Sequence, residues 1–150
     1  MNNDSKKIKA SVINRDLLNN KLESLRRILE RINSKIPKSE ELLLSDIDVQ
    51  DVIILNLQRA VQQAVDIACH ILSSLEVQAP SSMSESFLLL ERAQIISKEV
   101  ANVMTKTVGF RNIAIHEYQE IDWMIVYKII TKHLSDFKSY MREIDLWMNR

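Results

Sequence analysis

Asp51-Val52-Ile53-Ile54-Leu55-Asn56-Leu57-Gln58-Arg59-Ala60-Val61-Gln62-Gln63-Ala64-Val65-Asp66-Ile67-Ala68-Cys69-His70-Ile71-Leu72 is the stretch on which the fold turns. It holds no glycine and no proline. Its apolar residues (Val52, Ile53, Leu57, Ala60, Val61, Ala64, Ala68, Ile71 and Leu72, continuing to Leu75) spread over more than one narrow stripe of a helical wheel. A helix apolar on several sides must touch neighbours on several sides, so this segment is expected to be the central helix of an all-helical domain. Asp46 or Asp48 can cap it, and it is expected to run to about Leu75, before Ala79-Pro80-Ser81-Ser82 breaks the chain.

The flanking segments repeat the helical logic. From Ile13, apolar residues recur at Leu17, Leu18, Leu22, Leu25, Ile28, Leu29 and Ile32, while Arg26, Arg27, Glu30 and Arg31 take the other face. Ser34 to Ser39 should end this helix, because Pro37 pushes the residue before it out of helical geometry. Glu40 to Leu44 reads as a single turn or a loop that packs its leucines. A third helical region starts near Ser84 and carries Val100, Val103, Met104, Val108 and Ile115, with an interruption allowed around Ser97. Gly109 lies inside it; a mid-helix glycine costs about 1 kcal/mol relative to alanine, and close approach of another helix is the expected return. Gln119-Glu120-Ile121 reads as a stop. Asp122 then caps a last helix with Val126, Ile130, Leu134, Phe137, Met141, Ile144 and Met148. The expected architecture is an up-and-down four-helix bundle, its third helix open to a break, in a single domain over residues 1–150 with a core at about 15–145.

Composition agrees. The chain has 150 residues, a single Gly, two Pro and 46% hydrophobic residues. Glycine normally makes up about 7% of a protein, so its near absence argues against α/β folds with glycine-rich phosphate loops. The 20 basic residues balance 20 acidic ones, leaving no global field to gather nucleic acid or an anionic membrane. Any RNA contact must use a local patch, with Lys98, Lys106 and Arg111 as contributors. Apolar runs such as Val52 to Leu55 and Phe87 to Leu90 are too short to span a bilayer. Met1 to Lys7 leads into no apolar signal core. With one cysteine, Cys69, there is no internal disulfide framework, and a cytoplasmic location is expected.

Most chemistry-bearing residues have ordinary readings. His70 beside Cys69 diverges from it on a helix and lacks further ligands at metal-site spacing, so no metal and no cofactor is expected. Cys69 reads as a small hydrophobe and His133 as solvated, with Trp123 and Trp147 at core edges or subunit contacts. Arg59, Gln63 and Asp66 share a face and read as structural. Glu40-Glu41 and Asp46-Asp48-Asp51 read as loop solvation and helix capping, not as acid–base groups.

Arg111-Asn112-Ile113-Ala114-Ile115-His116-Glu117-Tyr118 stands apart, with a permanent cation, an imidazole and a phenol in one short span. Arginine's fork of donors suits a phosphate, and histidine moves protons near neutral pH. At 100° per residue, Arg111 and Tyr118 fall within about 20° of one face, whereas His116 lies about 140° from Arg111. Arg111 and His116 meet on one phosphate only if the helix ends or distorts near His116, or if two subunits contribute.

Arg111, His116 and Tyr118 reproduce the R-x4-H-x-Y motif, and here the chain resembles the HepT-type HEPN toxins. Val108-Gly109-Phe110-Arg111-Asn112, Ile121-Asp122 and the helix with Arg59, Gln63, Asp66, Ile67 and Ala68 extend the resemblance, which covers roughly residues 15 to 145. It implies an all-helical homodimer with metal-independent endoribonuclease activity, transfer RNA being one target class. It also implies a toxin–antitoxin partner, a small MNT-type nucleotidyltransferase that silences the toxin by adding AMP to the motif tyrosine. Carried onto this chain, Arg111 and His116 become the catalytic pair, Asn112 a polar support for RNA binding, and Tyr118 the modification site. The competing expectation is a noncatalytic helical module that binds a nucleotidyltransferase or nucleotide as adaptor or substrate. It would use Arg111 and Tyr118 without His116 as a proton carrier.

Overall fold

The computed structural model describes residues 13–150, and every regular element in it is helical. Helix α1 spans Arg15–Lys35, α2 Glu40–Ser45, α3 Ile47–Ser74, α4 Met83–Arg92 and α5 Lys98–His116. A 3-10 turn follows at Tyr118–Glu120. Helix α6 (Trp123–Lys128) then runs through a π turn at Ile129–His133 into α7 (Leu134–Met148).

Short polar side chains start these helices where the periodicity begins. Asn14, Ser39, Asp46, Ser82, Ser97 and Asp122 each accept a hydrogen bond from a backbone N–H in the first turn that follows. Between the two aspartates considered for α3, Asp46 makes the cap, accepting from the Val49 N–H at 3.1 Å. Helix α1 stops as Ile36, preceding Pro37, turns to φ −62°, ψ 118°.

Expected as the central element, α3 packs against α1, α2, α4 and α5. Ile53, Leu57, Ala60, Ala64, Ile67, Ala68 and Ile71 lie fully or almost fully buried along it. Leu18, Leu22, Leu25, Leu29 and Ile32 supply the facing stripe of α1, each worth about 1.5–3 kcal/mol of burial. Polar groups tie the helices together: half-buried Gln63 donates from Nε2 to the Lys21 carbonyl at 3.1 Å, and the buried Tyr140 hydroxyl donates to the Ala64 carbonyl at 2.8 Å. The Tyr140 ring also meets Phe87 edge to face, with centroids 5.4 Å apart.

The chain is cut more finely than four long helices. Its third region splits into α4 and α5, with the break at Ser97. The segment expected as one turn or loop is α2, with Leu43 buried but Leu42 and Leu44 exposed. The last helix is not regular. Its π turn widens the backbone where the Thr131 hydroxyl bonds back to the Tyr127 carbonyl at 2.7 Å. That turn lets Val126, Ile130 and Leu134, spaced by four, all remain buried ahead of Phe137, Tyr140 and Ile144.

Two contacts fix α5, the helix that carries the motif. Ser97 is both its N-cap and the ligand of a carboxylate from α7: Glu143 accepts from the Ser97 N–H at 2.5 Å and from its hydroxyl at 3.0 Å. Val100, Ala101, Met104, Val108 and Ala114 then bury the inner stripe of α5. No helix among the described residues is long and apolar enough to cross a membrane.

Candidate active site

Arg111 continues the inner stripe of α5, one turn after buried Val108 and one before buried Ala114. The residue is half-buried. Among the described residues its buried Nε has no hydrogen-bond partner, and Nη1 makes only a long 3.4 Å contact with Asn112 Oδ1. A buried donor on a permanent cation without a protein acceptor is costly unless something else fills the place. The arginine is therefore held ready for an external acceptor.

His116 is the last residue of α5 and is exposed. The helix stays regular to its end, because the Glu117 N–H still bonds the Ile113 carbonyl at 2.8 Å. Within one chain His116 thus remains about 140° around the axis from Arg111. Of the two routes by which they meet on one phosphate, the helix does end at His116, but without distortion before it, so the two side chains leave α5 on different faces. Asn112, Ile113 and His116 instead share the open face of α5 with Gly109 and Lys106. At Gly109 an added Cβ would meet nothing within 4 Å, so the close helix approach expected there is not made by any described residue of this chain.

Tyr118 departs from the regular-helix expectation. Glu117 (φ −134°, ψ 45°) leaves helical geometry, and Tyr118 starts the 3-10 turn, so the common face with Arg111 does not carry through. The phenol points to α3 instead, donating to Asp51 Oδ1 at 2.9 Å. Its ring meets Trp123 edge-on, with centroids 6.3 Å apart, and 43% of the residue stays exposed. Partial burial, then the hydrogen bond to Asp51 and that carboxylate's negative charge, push the phenol pKa up from its usual value.

Asp51 is the member of this constellation that the sequence reading assigned to capping. The signal was present in its position. Asp46 already caps α3, and a residue five further on lies too deep in the helix to reach an orphan N–H. The other chemistry-bearing residues fall where ordinary packing predicts. Asp66 accepts from Gln62 (3.0 Å), Arg59 is exposed, and His133 is exposed and pairs with Asp136 at 3.3 Å. Burial, then Asp66, pushes the Cys69 thiol pKa up, as suits a packing residue rather than a nucleophile. Lys98 and Lys106 are both exposed on α5. No group of three or more His, Cys, Asp or Glu converges as a metal site among the described residues.

The described residues thus form an all-helical bundle that presents an arginine with an unpartnered Nε, a helix-end histidine and a tethered phenol. The Ribonuclease HepT-like family matches residues 19–144, and the chain belongs to that family. It is 35% identical over 126 residues to the mRNA nuclease HepT of Shewanella oneidensis, covering 84% of this chain and 94% of that protein. It is 30% identical over 132 residues to the tRNA nuclease HepT of Aphanizomenon flos-aquae, covering 88% and 90% respectively. Among solved structures, a tri-AMPylated Shewanella oneidensis HEPN toxin in complex with MNT antitoxin superposes with a TM-score of 0.82 at 34% identity. That match covers 88% of this chain and 98% of the other.

Proposed function

We propose that this chain is a metal-independent endoribonuclease toxin of a toxin–antitoxin pair, a single HEPN-like domain that works as a homodimer in the cytoplasm. Arg111 and His116 cut the RNA, Asn112 supports its binding, and an MNT-type nucleotidyltransferase antitoxin silences the toxin by AMPylation of Tyr118. The observation that carries the reading is the buried, partnerless Nε of Arg111 at the start of R-x4-H-x-Y in a ribonuclease family.

The chemistry follows from the residue types. His116 takes the proton of a ribose 2′-hydroxyl or gives one to the leaving 5′-oxygen, while the Arg111 fork neutralises the charge gathering on the phosphorane-like transition state. Products then end in 2′,3′-cyclic phosphate or 3′-phosphate. The angle between Arg111 and His116 favours a dimer as the working unit. Pairing two α5 helices along Gly109, Ile113 and His116 would bring two imidazoles into one cleft, one as base and one as acid. Exposed Ile113 and the open space over Gly109 suit such a close contact.

The relatives' names divide between mRNA and tRNA, so both substrates belong in the test. Purified, unmodified protein is incubated with transfer RNA and with messenger RNA in EDTA, beside folded Arg111→Ala and His116→Ala variants. Cleavage of either RNA by the wild type, lost by about 10²-fold or more in each variant, is the expected result. A strict divalent-metal requirement, or 3′-hydroxyl ends only, would overturn the mechanism. The adaptor reading wins if His116→Ala leaves toxicity and partner binding unchanged.

A further inference from the structure

The Tyr118 hydroxyl makes one hydrogen bond, and its acceptor comes from a helix 67 residues away in sequence. Two elements cooperate to produce it. The break at Glu117 swings the phenol away from the α5 axis, and the edge contact with Trp123 limits ring rotation. Asp51 stands on the solvent side of α3, with its Oδ1 2.9 Å from the phenolic oxygen. A neutral phenol is a poor nucleophile, and an ionised carboxylate in contact with its proton is the group that improves it. The exposure of Tyr118 leaves the same oxygen open to an incoming nucleotide.

We propose that Asp51 is the base that accepts the Tyr118 proton as AMP is transferred to the phenolic oxygen. The inference rests on the reading of Tyr118 as the modified residue, and it adds the toxin's own contribution to its silencing. In the step, the phenolic oxygen forms a bond to the α-phosphorus of ATP. The bond from that phosphorus to the β-phosphate bridging oxygen breaks, pyrophosphate leaves, and the phenolic proton passes to Asp51 Oδ1 and then to water. Once the phosphodiester has formed, the oxygen has no proton left to donate. The tether to α3 is then lost, and the new negative charge faces the Asp51 carboxylate.

The test uses the intact chain with an MNT-type nucleotidyltransferase that binds it, magnesium, and ATP radiolabelled at the α-phosphate. Wild type, Asp51→Asn, Asp51→Glu and Tyr118→Phe are compared, with circular dichroism and co-purification confirming fold and partner binding. Asparagine keeps a hydrogen-bond acceptor for the phenol but cannot take its proton, so it separates holding from proton transfer. The expected result is a fall in kcat for labelling of roughly 10²–10⁴-fold in Asp51→Asn. The KM for ATP should stay close to wild type, Asp51→Glu should recover most of the rate, and Tyr118→Phe should take no label. Wild-type kcat in Asp51→Asn, or a raised KM with kcat intact, would overturn the assignment while leaving Tyr118 as the modified residue. Labelled Tyr118→Phe, or a wild type that takes no label, would overturn the modification reading itself and this inference with it.

Discussion

The two ends of α5 are built on opposite rules. At the N-terminal end the capping groups are satisfied. Ser97 caps the helix, Glu143 takes both the Ser97 N–H and its hydroxyl, and Ile95, Ile96, Val100 and Ala101 are buried around them. At the C-terminal end Arg111 has a buried Nε without a partner, and Ile113, Ile115 and His116 face solvent. Anchoring one end with satisfied contacts lets the other carry unsatisfied groups without loss of position, as a reactive site requires. One of the two unsatisfied buried side-chain atoms among the described residues, Arg111 Nε, thus lies where an outside ligand would meet it; the other, His70 Nε2, lies on α3.

The contrast predicts that substitutions at the two ends fail differently. The largest effect belongs to the C-terminal end: Arg111→Ala and His116→Ala should lower RNA cleavage by about 10²-fold or more while changing the thermal midpoint little. Next comes Glu143→Ala at the anchored end. It should cost about 1–3 kcal/mol in urea unfolding by stranding the Ser97 donors, with cleavage per folded molecule retained. If Glu143→Ala instead removes activity from stable protein, the division between anchor and working end fails.

Gly109→Ala sharpens the question of what covers the open face. With no atom within 4 Å of the added Cβ, it should raise stability by up to about 1 kcal/mol when dilute protein is unfolded. A loss of stability that grows with protein concentration would mean that a second copy occupies that space.

The smallest effect is a titration. Burial and then Asp51 hold the Tyr118 phenol pKa up, so Asp51→Asn should move its absorbance titration down, with Tyr118→Phe identifying the signal. The sign for stability follows from linkage. A phenol whose folded pKa exceeds that of the unfolded chain, about 10, adds stability that is complete below that value. The contribution fades as pH rises through the folded pKa. An unmoved titration in Asp51→Asn would remove the hydrogen bond from the solution structure.

Much of the fold was legible because helices report themselves locally. Asn14 through Lys35, Asp46 through Leu75 and the break at Ser97 each combine a 3.6-residue apolar period with a capping side chain, and both signals lie within a few residues of one another. The π turn at Ile129–His133 was not legible, since it answers to what Ile130 and Leu134 must pack against on other helices. The capping assignment of Asp51 failed for a similar reason: its partner, Tyr118, arrives from a distant segment.

The sequence by itself determined that the chain is helical, where its main helices begin, and which motif residues place it beside the HepT-type toxins. Periodicity, capping and motif spacing are local properties, written in residues less than two turns apart. Only the tertiary structure decided that Arg111 keeps an unpaired buried donor, that His116 stays on another face of α5, and that Tyr118 bonds Asp51. Those facts depend on where α5 ends relative to α3, and that position is set by long-range packing and by the Ser97–Glu143 anchor at its far end.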